Sequence, residues 1–119
     1  MFKIIIAGGR DFCDYPLLKI KCDSLLKNIK EEIVIVSGKA KGADSLGERY
    51  AEEKGYLIKY FPADWEKYNK GAGHIRNKQM AEYSDALVLF WDGKSRGSAN
   101  MKKEAEKEKL KIRVITYEL

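Results

Sequence analysis

Apolar residues gather along the chain into five short, dense, largely β-branched runs, at Lys3 to Ala7, Ile33 to Val36, Leu57 to Phe61, Ala86 to Trp91 and Ile112 to Tyr117. Runs of this length, apolar at successive positions, predict strands buried on both faces. Between them apolar positions recur at helical spacing, predicting helices over Tyr15 to Lys30, Asp44 to Lys54, Gly73 to Tyr83 and Ser98 to Lys109. In the first of these Leu17, Leu18, Cys22, Leu25, Leu26 and Ile29 make one broad apolar face. Strand and helix alternate from end to end, which predicts parallel pairing through right-handed crossovers. The expected fold is α/β, a Rossmann-like three-layer sandwich with a parallel five-stranded sheet. With no repeat and no linker, residues 1–119 are expected to form one domain. The irregular stretch Phe61 to Ala72, with Pro62, Trp65, Tyr68, Asn69 and Gly71, predicts a lid or wall.

Composition narrows the class without naming a chemistry. The chain is 45% hydrophobic and 34% charged with two prolines, an ordinary globular balance. No apolar run is long enough to cross a bilayer, and the first one is too short for a secretory signal. A cytoplasmic protein with no membrane partner is expected. Cys13 and Cys22 lack CxxC spacing and the chain has one histidine, so neither a metal site nor a disulfide is expected and both thiols should be reduced. The net charge of +5 suits an anionic partner. Glutamates nevertheless interrupt nearly every lysine cluster, as in Lys102 to Lys111, and no basic stripe interleaved with aromatics occurs. On that ground nucleic acid is not expected as a partner.

In an open parallel sheet the crevice beyond the carboxyl ends of the strands is where ligands bind. Three loops predicted at that edge are rich in glycine: Gly8-Gly9-Arg10-Asp11, Ser37-Gly38-Lys39-Ala40-Lys41-Gly42-Ala43-Asp44, and Asp92-Gly93-Lys94-Ser95-Arg96-Gly97-Ser98. Glycine lets a tight turn close, and it also lets backbone N–H groups at a helix start approach a phosphate. Neither GxGxxG nor GxxxxGK[ST] is present, so a dinucleotide dehydrogenase or a P-loop NTPase is not supported and no cofactor is expected. Arg10, directly after a buried strand, and Arg76 on the third long helix are candidate phosphate partners, with Asn77 beside Arg76 a candidate for a base or backbone. Asp44 has two readings, a helix cap and an acceptor for ribose hydroxyls, and Asp92 shares the second. Trp65 and Tyr68 read either as stacking surfaces or as packing, with packing preferred, and His74 as an exposed histidine.

These loops resemble the SLOG superfamily, specifically its small YspA- or YpsA-related branch. The carriers are Gly8 to Phe12, Ser37-Gly38 with Gly42-Ala43-Asp44, Gly47-Glu48, Phe61 to Trp65, Ala72-Gly73 with Arg76-Asn77, Met80-Ala81, and Phe90 to Gly93 with Ser95-Arg96-Gly97. The resemblance implies a Rossmann-like fold and the sensing or processing of a nucleotide-derived small molecule, such as an ADP-ribose-like compound in bacterial and phage conflict systems. It also implies a possible homo-oligomer, since members often dimerise through helical faces. Family members often have Gly-Gly where this chain has Gly38-Lys39, and Lys39 is expected to crowd a phosphate there. In the related phosphoribohydrolases a PGGxGTxxE loop supplies a catalytic glutamate, whose position falls on Met101, and a thioether cannot act as a general base. Binding is therefore the leading reading. A hydrolase using Asp44, Glu48 or Asp92 is one alternative, and single-stranded DNA binding, prompted by the superfamily's kinship with a DNA-processing protein, is another.

Overall fold

Isoleucine and valine at successive positions favour extended chain because their branched side chains suit a pleated, covered surface. In the computed structural model, which describes residues 1–118, five such segments form one parallel sheet: β1 (Phe2–Gly8), β2 (Ile33–Ser37), β3 (Leu57–Tyr60), β4 (Ala86–Trp91) and β5 (Lys111–Thr116). The helices are α1 (Tyr15–Leu26), α2 (Ala43–Lys54), α3 (Trp65–Tyr68), α4 (Ala72–Tyr83) and α5 (Arg96–Lys107), with a 3-10 turn at Asn69–Gly71. Strand order is β3-β2-β1-β4-β5, and the register sets Ile4 beside Ile35 and Ala86, and Gly8 beside Phe90. The predicted α/β sandwich is thus the observed one.

The two faces of the sheet carry separate cores. On one face Ile4, Ile6, Ile35, Val88 and Phe90 meet Leu18, Cys22 and Leu26 of α1 and Tyr50 and Ala51 of α2. On the other Ile5, Ala7, Val36, Leu87 and Leu89 meet Met80 and Ala81 of α4 and Met101 and Ala105 of α5. The chain changes face after β3, so the order reverses between β1 and β4, and the crevice of a doubly wound sheet opens there. Among the described residues no helix is long and apolar enough to cross a membrane.

Two expectations fail at the margins. The outer strands β3 and β5 are not buried on both faces: Leu57 is 53% exposed, and Lys111 and Arg113 face solvent. They are sheet edges, where charge discourages pairing with another chain. Helix α1 stops at Leu26 rather than Lys30, because the Leu26 carbonyl accepts the Ile29 N–H in a turn. Its start is fixed by the Asp14 carboxylate, which accepts the Leu17 N–H at 3.1 Å.

Helices α2 and α5 end in the same cap with different residues. After α2 the Tyr56 N–H bonds the Ala51 carbonyl and the Gly55 N–H the Glu52 carbonyl, with Gly55 at φ 74°. After α5 the Leu110 and Lys109 N–H groups bond Ala105 and Glu106 in the same way, but Lys109 holds φ 58°. A side chain in this left-handed region costs roughly 1 kcal/mol. Lys109→Gly is therefore expected to raise stability by about 1 kcal/mol, read as a higher urea midpoint at unchanged slope. An unchanged or lower midpoint would refute the strain.

Candidate functional site

The loop after β1 is held rigid by its neighbours. The Gly9 N–H donates to the Phe90 carbonyl at 3.0 Å, and the Gly9 carbonyl accepts the Phe12 and Ala43 N–H groups, each at 3.2 Å. From beyond β5 the Tyr117 hydroxyl donates to Asp11 Oδ1 at 2.7 Å, its ring edge-on to Phe12, which stacks on Phe90. Arg10 therefore projects, exposed, from a turn anchored on both sides.

The loop after β2 is organised by Glu48. Its carboxylate accepts the Ser37 hydroxyl at 2.6 Å, and Ser37 Oγ in turn accepts the Lys39 N–H at 3.1 Å. Lys39 takes φ 62°, and its Nζ lies 3.8 Å from Glu48 Oε1 and 4.7 Å over the Tyr60 ring. It turns away from the cleft, so the expectation that it crowds a phosphate is corrected. Asp44 is the second residue of α2; Gly42 occupies the cap position, so Asp44 is no N-cap. Its carboxyl is 5% exposed and accepts one long bond, from the Ala40 N–H at 3.4 Å. Burial pushes this carboxyl up to about 6, against the pull of Arg76 and of the Ala40 N–H.

Helix α4 supplies the second arginine. Arg76 Nε donates to Asn77 Oδ1 at 3.0 Å and its guanidinium also donates to the Gly38 carbonyl, which ties α4 to the loop after β2. Burial lowers the Arg76 pKa, Asp44 opposes this, and the charge of Arg10 adds to it. Asn77 is 6% exposed and spends its amide on the Gly97 carbonyl at 3.3 Å and Asn100 Oδ1 at 2.9 Å, clamping α4 to α5. After β4, Asp92 Oδ1 accepts the Ser95 and Lys94 N–H groups, both at 2.9 Å, and these hold its carboxyl below the usual range. The Ser95 side chain makes no cap bond, so the first N–H groups of α5 lack partners within the helix.

These parts enclose a cavity of about 470 Å³ at the carboxyl edge between β1 and β4. Of the residues singled out in the sequence, Gly8, Gly9, Arg10, Asp44, Arg76, Asn77, Asp92, Ser95 and Gly97 line it. Ser37, Gly38, Gly42, Gly93 and Arg96 do not; the first three shape the turns behind the wall, and Arg96 stands exposed on the first turn of α5. The candidate contacts do not include the floor, Ala7, Leu89, Met80 and Met101, nor Lys70 and Gly73; of these, Gly73 and Met80 are carriers of the resemblance and Met101 marks the position of the relatives' glutamate. His74 is exposed, as expected, and also lines the cavity. Trp65, read from sequence as packing, is 50% exposed over the first turn of α4 and also lines it. A hollow of about 590 Å³ at the opposite edge is larger, but its Asp23, Tyr50 and Lys54 already satisfy one another, at 2.7 and 3.0 Å.

Formal charge in the cavity lining is balanced, with Arg10, Lys70 and Arg76 against Asp11, Asp44 and Asp92. Among the described residues the ion pairs involve Lys19, Lys39, Arg49, Lys54, Lys102 and Lys107. None involves Arg10, Lys70 or Arg76 in the cavity, or Lys41, Lys94 or Arg96 in the loops beside it. The neighbouring carboxylates of Asp14, Asp64 and Asp92 are engaged with backbone N–H groups, and that of Asp11 with Tyr117.

A doubly wound parallel sheet with a glycine-walled crevice at its switch point defines a Rossmann-like domain. The model of the YspA, cpYpsA-related SLOG family matches residues 2–68, and the chain belongs to that family. It is 30% identical over 113 residues to the Gene 61 protein of Mycobacterium phage D29, covering 90% of each chain. Its fold matches DNA processing protein A from Streptococcus pneumoniae with a TM-score of 0.75 at 17% identity, over 100% of this chain and 52% of that one. It also matches DNA processing protein A from Helicobacter pylori, described for its single-stranded DNA binding mode, with a TM-score of 0.69 at 23% identity, over 99% of this chain and 66% of that one. The chain thus spans about half to two thirds of these proteins' length. The expectation that set nucleic acid aside is corrected by this match: the Helicobacter protein, which shares the fold, is described for its single-stranded DNA binding mode. Sequence charge counting bears on the electrostatic footprint alone and carries no information on fold kinship.

Proposed function

We propose that residues 1–119 act as one domain that binds a nucleotide or nucleotide-derived ligand, such as an ADP-ribose-like molecule, in the cleft between β1 and β4. The observation that carries this is the convergence of Arg10, Arg76 and the first turn of α5 on one cavity of about 470 Å³. Guanidinium forks and helix N-termini both favour phosphate, and small-ligand pockets commonly span roughly 300–1,000 Å³. In this arrangement Trp65 offers a stacking face at the mouth, and Asp44 an acceptor for hydroxyl groups.

The test is a thermal-shift and calorimetric titration with AMP, ADP-ribose and NAD. A ligand at about 100 times its Kd should add about 2.7 kcal/mol of stability. Arg10→Ala should weaken binding about tenfold or more, since a charge-assisted hydrogen bond contributes about 1.5–3 kcal/mol. Absence of any shift, or an Arg10→Ala variant that binds as tightly as the parent, would sink this reading.

Single-stranded DNA is the second reading, favoured by the fold shared with the DNA processing proteins and by the exposed Arg10, Lys41, Lys94 and Arg96 around the cleft. Fluorescence anisotropy with a labelled oligothymidylate should then show affinity falling steeply between 50 and 200 mM salt, about tenfold or more for a few phosphate contacts. A flat salt response would count against it.

A further inference from the structure

Three sets of donors reach the cleft from three separate elements. The exposed Arg10 guanidinium comes from the loop after β1. Arg76 comes from α4 with Nε and one terminal nitrogen already committed, to Asn77 and Gly38, so its remaining N–H groups are fixed in direction. The first turn of α5 comes last, its N-cap serine giving no side-chain bond to the turn. Rigidity is supplied from behind by the bonds from Asn77 to Gly97 and Asn100 and from Trp91 Nε1 to the Ser95 carbonyl at 3.1 Å.

Two properties of phosphate distinguish what such a site accepts. A phosphomonoester has three terminal oxygens and carries about −1.5 to −2 charge near neutral pH. A phosphodiester has two free oxygens and a single charge. Two guanidiniums, Arg10 and Arg76, line one cavity and offer forked donors to the higher charge, with Asp44 beside Arg76 offsetting part of theirs. Three donor sets suit three terminal oxygens, whereas a diester offers two and leaves one set to water or to a bridging oxygen.

We propose that the cleft is built for a phosphomonoester, the terminal phosphate of a free nucleotide or of a 5′-phosphorylated strand end, rather than for an internal phosphodiester. This rests on the nucleotide-binding reading and narrows it to one phosphate chemistry. Both sources present the same group, and both leave the rest of the ligand free to pass Trp65 and Lys70 at the mouth.

The test compares ligands on the unaltered protein, so no variant need fold. Calorimetry is run with AMP, with its methyl phosphodiester and with adenosine, and anisotropy with a labelled decathymidylate bearing a 5′-phosphate or a 5′-hydroxyl. The methyl group adds little bulk but removes one charge and one terminal oxygen, and AMP should bind at least about tenfold more tightly than its ester. A tenfold gain from the 5′-phosphate on the oligonucleotide, without a comparable preference among the small ligands, would assign the site to strand ends; the reverse would assign it to free nucleotides. Equal affinity within both pairs overturns this inference while leaving nucleotide binding intact. Failure of every ligand to bind removes the nucleotide reading and this inference together. In Arg10→Ala the monoester preference should shrink toward unity, and a preference that survives unchanged would overturn the role given to the two arginines.

Discussion

Gly42→Ala is expected to destabilise the protein by about 3–5 kcal/mol, the sum of a steric and a backbone cost. Gly42 stands at φ 77°, and a Cβ there would meet the Gly9 carbonyl oxygen and lie 2.6 Å from both the carbonyl carbon and oxygen of Arg10. All of these are backbone atoms in the turn pinned by Phe90, Phe12 and Ala43 through Gly9, so no flexible side chain can move aside. Relief requires pushing α2 from β1 or shifting the Arg10 loop, and either also disturbs the cleft. Gly93→Ala is the control: φ is similar at 83°, but nothing lies within 4 Å of the added carbon. It should cost only the left-handed penalty of about 1–2 kcal/mol. Urea unfolding of the two variants separates the terms, and a Gly42→Ala cost within 1 kcal/mol of the Gly93→Ala cost would show that the turn yields.

The same contact explains why the sequence revealed Gly42 as important but misplaced its role. A glycine-rich stretch after a strand reads alike whether its backbone faces a ligand or another loop. Only the position of β2 beside β1 turns Gly42 toward Arg10, and strand order is not written in local periodicity. The strands themselves were legible because their β-branched runs are local, and the central ones came out as expected. The exposed outer strands have similar apolar content, and only their place at the sheet's ends leaves them uncovered. In the sequence Met80 stands out only as a carrier of the family resemblance and Met101 only as the position of the relatives' glutamate; both are core residues of α4 and α5, and their place on the cleft floor follows from the gap between β1 and β4. Trp65 and Lys70 enter the wall because the irregular segment folds back over α4, a path set by the Phe61 N–H bonding the Ser37 carbonyl and by the Asp64 carboxylate capping Lys67.

Asp44→Asn should have opposite effects on stability and on binding. Burial raises the Asp44 carboxyl from 3.8 to about 6 in the folded protein, so the folded state holds this proton more tightly than the unfolded chain does. The stability from that proton is complete below about pH 3.8 and is lost as pH rises through about 6. Above that range the ionised, buried carboxylate costs roughly 3 kcal/mol, at 1.36 kcal/mol for each pH decade between the two values. Asparagine keeps the shape and the acceptor for the Ala40 N–H but cannot ionise. The variant should therefore match the parent near pH 4 and exceed it by up to about 3 kcal/mol at pH 7.5 in urea unfolding. A variant less stable than the parent at pH 7.5 would show that Arg76 and the loop N–H groups already compensate the charge. A carboxylate that weakens the empty fold at neutral pH makes sense when a ligand's hydroxyl groups donate to it, so the same variant should bind ADP-ribose more weakly. Ligand affinity unchanged by Asp44→Asn would leave the residue as a tie to Ala40 and remove it from the hydroxyl-reading role.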